Sequence, residues 1–193
     1  MTRSLAWAIL SRAALVAPTV IGDLLRAQNV WDAAEQVLAG KIAAEVPRDL
    51  RGLAACDLER AEAIGARLLP REGADWPGFP LWDLDAPKVR SAGPVALWVR
   101  GAARINPLAQ THVAVVGARA ATERGVAVTT EITDGLTERG WTVISGGGYG
   151  VEEAAHRAAL ARDGKTIAVL ATGLGRTCPP AQQALFDGIA EKG

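Results

Sequence analysis

Alanine and leucine recur at helical spacing from Arg3 to about Leu69, where glycines are sparse and turn signals fall at Ala17-Pro18, Gly40 and Pro47-Arg48. The pattern predicts roughly three to five short helices. Val30, Trp31, Ala34, Val37 and Leu38 fall on one apolar helical face, while Asp32, Glu35 and Gln36 stay in water. Residues 1–69 therefore read as a small helical N-terminal domain. Two roles are open to it: packing alone, or contact with a DNA backbone or a partner protein. Arg48, Arg51, Arg60 and Arg67 supply cations for the second, interleaved with Asp57, Glu59 and Glu62.

The texture changes at Pro70. Prolines at 70, 77, 80, 87, 94 and 107 exclude long helices and mark residues 70–110 as an extended connector. Val95–Val99, closed by Arg100-Gly101, interrupts it as a lead-in strand, because its residues are β-branched and aromatic. Trp76, Trp82 and Trp98 either pin this connector to a core or offer stacking platforms to nucleobases.

From Thr111 strand and helix alternate. His112–Val116, Trp141–Ser145 and Lys165–Ala171 read as buried strands. The helix between the first two carries Val128, Ile132 and Leu136 on one face, with Thr122 as N-cap and Gly140 as its stop. A helix from Val151 to about Arg162 and a last one around Gln182–Glu191 complete the series. Right-handed crossovers then give a parallel sheet, so the fold class is α/β: a Rossmann-like core over residues 111–193 behind the helical domain.

Composition adds mostly exclusions. The formal net charge of the 193 residues is zero, so whole-chain electrostatics does not single out a nucleic-acid partner. Cys56 and Cys178 are the two cysteines and show no metal-like spacing, which points to structural thiols in a reduced, cytoplasmic setting. The apolar stretch Leu5–Leu15, bracketed by Arg3 and Arg12, is too short for a membrane span, and neither a signal peptide nor a membrane segment is expected. No metal or cofactor motif is present.

In an open parallel sheet, ligands bind beyond the carboxyl ends of the strands. The exits Gly117–Arg119, Ser145–Gly150 and Thr172–Arg176 should therefore share one rim. Gly117, Gly146, Gly147 and Gly150 let a backbone approach phosphate oxygens, the helix N-terminus after Gly150 favours an anion, and Arg119 supplies a charged fork. Lys165 and Arg176 are further cationic candidates. The glycine run is not the dinucleotide fingerprint, which would follow the first strand, nor a P-loop, because no Gly-Lys-Ser/Thr follows. Glu152 and Glu153 complement the helix dipole themselves and would repel an anion placed close by. His156 stands four residues after Glu152, so a Glu–His hydrogen bond is easy. Two readings follow: a carboxylate-oriented general base, or a structural histidine fixing the glycine loop to its helix.

Val113-Ala-Val-Val-Gly-Ala-Arg119, Thr122, Gly125, Val143-Ile-Ser-Gly146, Gly150, Ala155-His156, Ala159-Leu160, Gly164-Lys-Thr-Ile-Ala-Val169, Gly173 and Cys178-Pro179 resemble the DprA/Smf family of DNA-processing proteins. Trp76–Leu84, Ala86-Pro87 and Leu97–Gly101 are similar to that family's entry into its core. The resemblance covers about Trp76 to Gly193. It implies an extended Rossmann-type core that binds single-stranded DNA in a basic pocket at the strand ends, protects incoming strands and helps to load the RecA recombinase in natural transformation. It implies no hydrolysis and a homodimer. Arg119, Ser145, Gly146 and Lys165 map onto its pocket positions.

Several positions depart from the family pattern. Gly150-Val-Glu152 stands where Gly-Ile-Asp is usual, Cys178 where a tyrosine is, and Gly148-Tyr149 where an alanine and a basic residue are commoner. The family pattern continues past Gly193, so the core is expected to be incomplete at its C-terminus and to expose a sheet edge. The run Gly146–Val151 with its following helix is also similar to the LOG nucleoside-monophosphate phosphoribohydrolases, whose Pro-Gly-Gly-x-Gly-Thr-x-x-Glu motif is absent here.

Overall fold

The computed structural model describes residues 1–85, 93–175 and 180–192, which divide into two compact units, 1–99 and 100–193. Arg176, Cys178 and the pair Ala86-Pro87 lie outside the described residues.

In the first unit α1 (Arg3–Ala14) runs through the middle of the helices. Ala6, Trp7, Ala8, Ile9, Leu10 and Ala13 are all buried, because α2 (Pro18–Ala27), α3 (Val30–Leu38) and α4 (Leu50–Ala63) pack around it. A helix apolar on most sides has to be enclosed in this way. Side chains close the helix starts: Thr2 caps α1, Asn29 caps α3 and Asp49 caps α4, while Pro18 opens α2. On α3 the predicted face holds at Val30, Ala34 and Val37, but Trp31 and Leu38 turn to solvent and Ala33 takes the inner position. Arg12 donates to both Asp57 oxygens, from Nε at 2.5 Å and from Nη2 at 2.9 Å, and ties α1 to α4.

The helical reading ends sooner than Leu69. Gly65, at φ +66°, turns the chain out of α4, and Ala66–Pro70 forms β1, paired with β2 (Ala96–Arg100). Leu69 and Val95 are buried there. The Leu68-Leu69 pair matches a helix face and a strand equally well; the left-handed glycine decides between them. Between β1 and β2 only single turns form among the described residues, α5 (Gly78–Leu81) and a 3-10 turn at Trp82–Asp85, as the prolines require.

After a short α6 (Ile105–Leu108), the second unit is built as β3 (His112–Ala114), α7 (Glu123–Glu138), β4 (Thr142–Ser145), α8 (Val151–Ala161), β5 (Thr166–Ala168) and α9 (Gln183–Lys192). The strands are parallel in the order β3-β4-β5, with Val113 beside Val143 and Ile144 beside Ile167. They are shorter than the apolar runs suggest, because Val115 and Val169 each make one more bond to β4 before the exits splay into loops. Thr122 caps α7, and Gly140 ends it at φ +76°, as predicted.

The inward face of α7 is a correction. Thr129 and Thr133 are buried, whereas Val128 and Ile132 are exposed. Arg162, just past α8, holds Asp134 at 2.8 Å and Glu138 at 3.6 Å. α7 packs on α8 and β4, and helical spacing sets Val128 and Ile132 off the face that Thr129 and Thr133 turn inward.

Candidate functional site

The exits of β3 and β4 form one rim. Ser145 is buried at the end of β4, and its hydroxyl donates to the Val115 carbonyl at 2.5 Å, tying the two exits together. Beyond it the Val151 N–H donates to the Ala118 carbonyl. Gly150, at φ +74°, brings its Cα so close to the backbone of Ala118 and Arg119 that a Cβ would lie 2.3 Å from the Ala118 oxygen. Only glycine meets both demands.

The centre of the glycine loop is already occupied. The Glu152 carboxylate accepts from the Gly148 N–H at 2.7 Å. A Cβ on Gly146 or Gly148 would come within 2.7 or 2.6 Å of the same Glu152 oxygen. The carboxylate thus sits where the loop would receive a phosphate. Gln182, buried near the start of α9, donates to the Gly148 carbonyl at 3.1 Å and to Glu153 at 3.3 Å. Glu153 also pairs with Arg157 at 2.8 Å. Nothing in the sequence spacing identifies Gln182 as a loop support, because its partners lie far away in the chain.

His156 does not bond to Glu152. Its Nε2 lies 2.9 Å from the Gly146 carbonyl and must donate there, which leaves Nδ1 facing the Thr166 hydroxyl at 2.7 Å. Burial holds this imidazole below its usual pKa, partly opposed by the Gly146 bond and the nearby Glu152 charge. Both ring nitrogens are engaged, so of the two readings the structural one stands: His156 ties the loop, α8 and β5 together.

Arg119 lies in the loop after β3, against the glycine loop that follows β4. Its side chain passes Gly148, with Cγ 3.6 Å from where a Cβ would stand. The residue is exposed and has no ion pair among the described residues. Gly117 and Gly147 are packing positions. A Cβ on Gly117 would meet Val151 at 2.8 Å, and one on Gly147 would meet Leu170 at 2.4 Å. The structure therefore brings Gly117, Arg119, Ser145, Gly146, Gly147 and Gly150 together, but not Lys165. Lys165 precedes β5 at the opposite end of the sheet, where its ammonium donates to the Lys192 carbonyl at 2.8 Å. Of the tryptophans, Trp76 and Trp98 are half-buried, as pins would be, and Trp82 is exposed. Among the described residues no helix is long and apolar enough to cross a membrane, and no cluster of potential ligands could hold a metal ion.

A sequence model of the DNA recombination-mediator protein A family matches residues 77–193. This chain belongs to that family. A DNA processing protein DprA of Mycobacterium tuberculosis strain H37Rv is 38% identical over 197 residues, covering 97% of this chain and 51% of its own. The DprA of Streptococcus pneumoniae strain R6 is 36% identical over 138 residues, covering 68% of this chain and 47% of its own. The chain thus spans about half the length of these curated relatives. The X-ray structure of DprA from Streptococcus pneumoniae overlays with a TM-score of 0.64 over 95% of this chain and 63% of that one, at 24% identity, a likeness of fold. Of the two resemblances in the sequence, the DNA-processing family is the one the chain joins.

Proposed function

We propose that this protein binds single-stranded DNA at the rim of β3 and β4 and acts there as a recombination mediator. In this reading it keeps an incoming strand accessible and passes it to a RecA-type recombinase in natural transformation, as a cytoplasmic homodimer. It binds and does not break bonds, and the candidate base His156 is spent on holding the loop. The observation that carries the reading is Arg119, an exposed guanidinium without an ion pair among the described residues, laid along the glycine loop at the strand ends. Such a fork takes a phosphate through two parallel N–H donors. Family membership favours DNA over a free nucleotide as the source of that phosphate. Gly117, Ser145, Gly146, Gly147 and Gly150 shape the rim that presents Arg119, and Lys165 drops out of the site.

Fluorescence anisotropy with labelled single- and double-stranded oligonucleotides, and a nucleoside monophosphate as competitor, tests this. Single strands should bind more tightly, with affinity falling as salt rises, and Arg119→Ala should weaken binding about tenfold or more. Equal affinity for duplex, or efficient displacement by the monophosphate, would contradict the reading.

A further inference from the structure

The rim exposes more apolar surface than phosphate binding requires. Val116, just past β3, is 72% exposed; Tyr149, in the loop after β4, is 44% exposed; Val169, just past β5, is 64% exposed. The exits of three neighbouring strands thus carry apolar side chains in water at the same end of the sheet. Tyr149 stands between Gly148 and Gly150, and its hydroxyl has no protein partner among the described residues. The Gly148 amide is taken by Glu152, so a phosphate seeking the loop meets a carboxylate. The ligand's charge is left to Arg119, which passes Gly148, the residue before Tyr149.

We propose that Tyr149 is a base-stacking subsite. An unpaired nucleobase lies on its ring, near Val116 and Val169, while Arg119 holds an adjacent phosphate. The proposal rests on the rim being the DNA site and adds the chemistry by which single strands are selected: a base stacked inside a duplex has no free face to offer, whereas every unpaired base does. Glu152 sharpens the choice by turning away ligands that bring phosphate alone.

Tyr149 is the only tyrosine in the chain, so isotope-labelled tyrosine gives an unambiguous ring signal in NMR. Oligodeoxythymidylate should move that signal upfield, and a chain of abasic sites of the same length should not. By anisotropy the wild type should prefer oligodeoxythymidylate about tenfold, Tyr149→Ala should lose that preference, and Tyr149→Phe should keep it. Binding of oligodeoxythymidylate with an unmoved ring signal, or with full affinity in Tyr149→Ala, overturns the stacking subsite and leaves single-strand binding standing. Failure of the wild type to bind either oligomer overturns both.

Discussion

The two units are stabilised in opposite ways. In the first, Ile9, Leu10, Ile21, Val37 and Leu50 are wholly or almost wholly buried around a central helix, and the core cluster draws on α1, α2, α3 and α4 together. In the second, the corresponding cluster is Val143, Ala155 and Ala159, with Val113 and Val115 beside it. Polar groups are buried there instead: His156 and Gln182 donate to carbonyls of the glycine loop, Ser145 ties the exits of β3 and β4, and Thr166 faces His156. Apolar residues such as Val116, Val128 and Ile132 remain outside. The first unit is a scaffold held by apolar burial. The second surrounds a glycine loop with buried polar groups that hold it in one shape.

The largest effect should come from emptying the scaffold. Leu10→Ala should cost about 2–5 kcal/mol in urea-induced unfolding, because α1 is enclosed and cannot collapse onto the cavity. A loss below about 1 kcal/mol would mean that the first unit is no better packed than the second.

Next comes His156→Ala, which strands the Gly146 carbonyl and should cost about 1–3 kcal/mol. The same residue carries a pH signature. Burial lowers its folded pKa below the 6.5 of the free side chain, so the unfolded chain takes up the proton first. Its contribution is therefore complete above about pH 6.5 and is lost as pH falls toward the folded value. Thermal melts of the wild type should decline over that window, and those of the alanine variant should decline less.

A smaller effect, on binding rather than stability, is expected from Glu152→Gln. The amide oxygen can still accept from Gly148, while the charge that repels phosphate is gone. Affinity for single strands should rise a few-fold, because the repulsion of nearby phosphates is removed while the loop keeps its shape. An unchanged affinity would show that the Glu152 charge does not bear on the bound strand. The smallest effect belongs to Ile132→Ser on the open flank of α7, which should stay within about 0.5 kcal/mol because the side chain is already 55% exposed.

Much of this architecture was legible in the sequence because it follows local rules. Helical spacing, proline density, the Thr122 cap and the Gly140 stop each act within a few residues, and the alternation after Thr111 leaves little choice but a parallel sheet. What was not legible depends on which way an element is rotated or which end of a strand a residue occupies. Val128 and Ile132 match a core face by periodicity, yet α7 packs on α8 and β4 with Thr129 and Thr133 inward. Lys165 lies close to the third strand in sequence but at its starting end, away from the rim. Glu152 was visible as a charge unfavourable to phosphate, but not as the group that fills the loop, since that takes a side chain folding back over its own helix terminus.

Single strands held by the rim of the second unit, and not by the arginines of the first, would leave a distinct trace in a titration of the isotope-labelled protein with oligodeoxythymidylate, followed through backbone amide shifts. Changes should concentrate at Val116–Arg119 and Gly146–Val151, with the amides of α1 to α4 unmoved. Shifts centred on Arg48, Arg51, Arg60 and Arg67, with the glycine loop silent, would contradict binding at the rim.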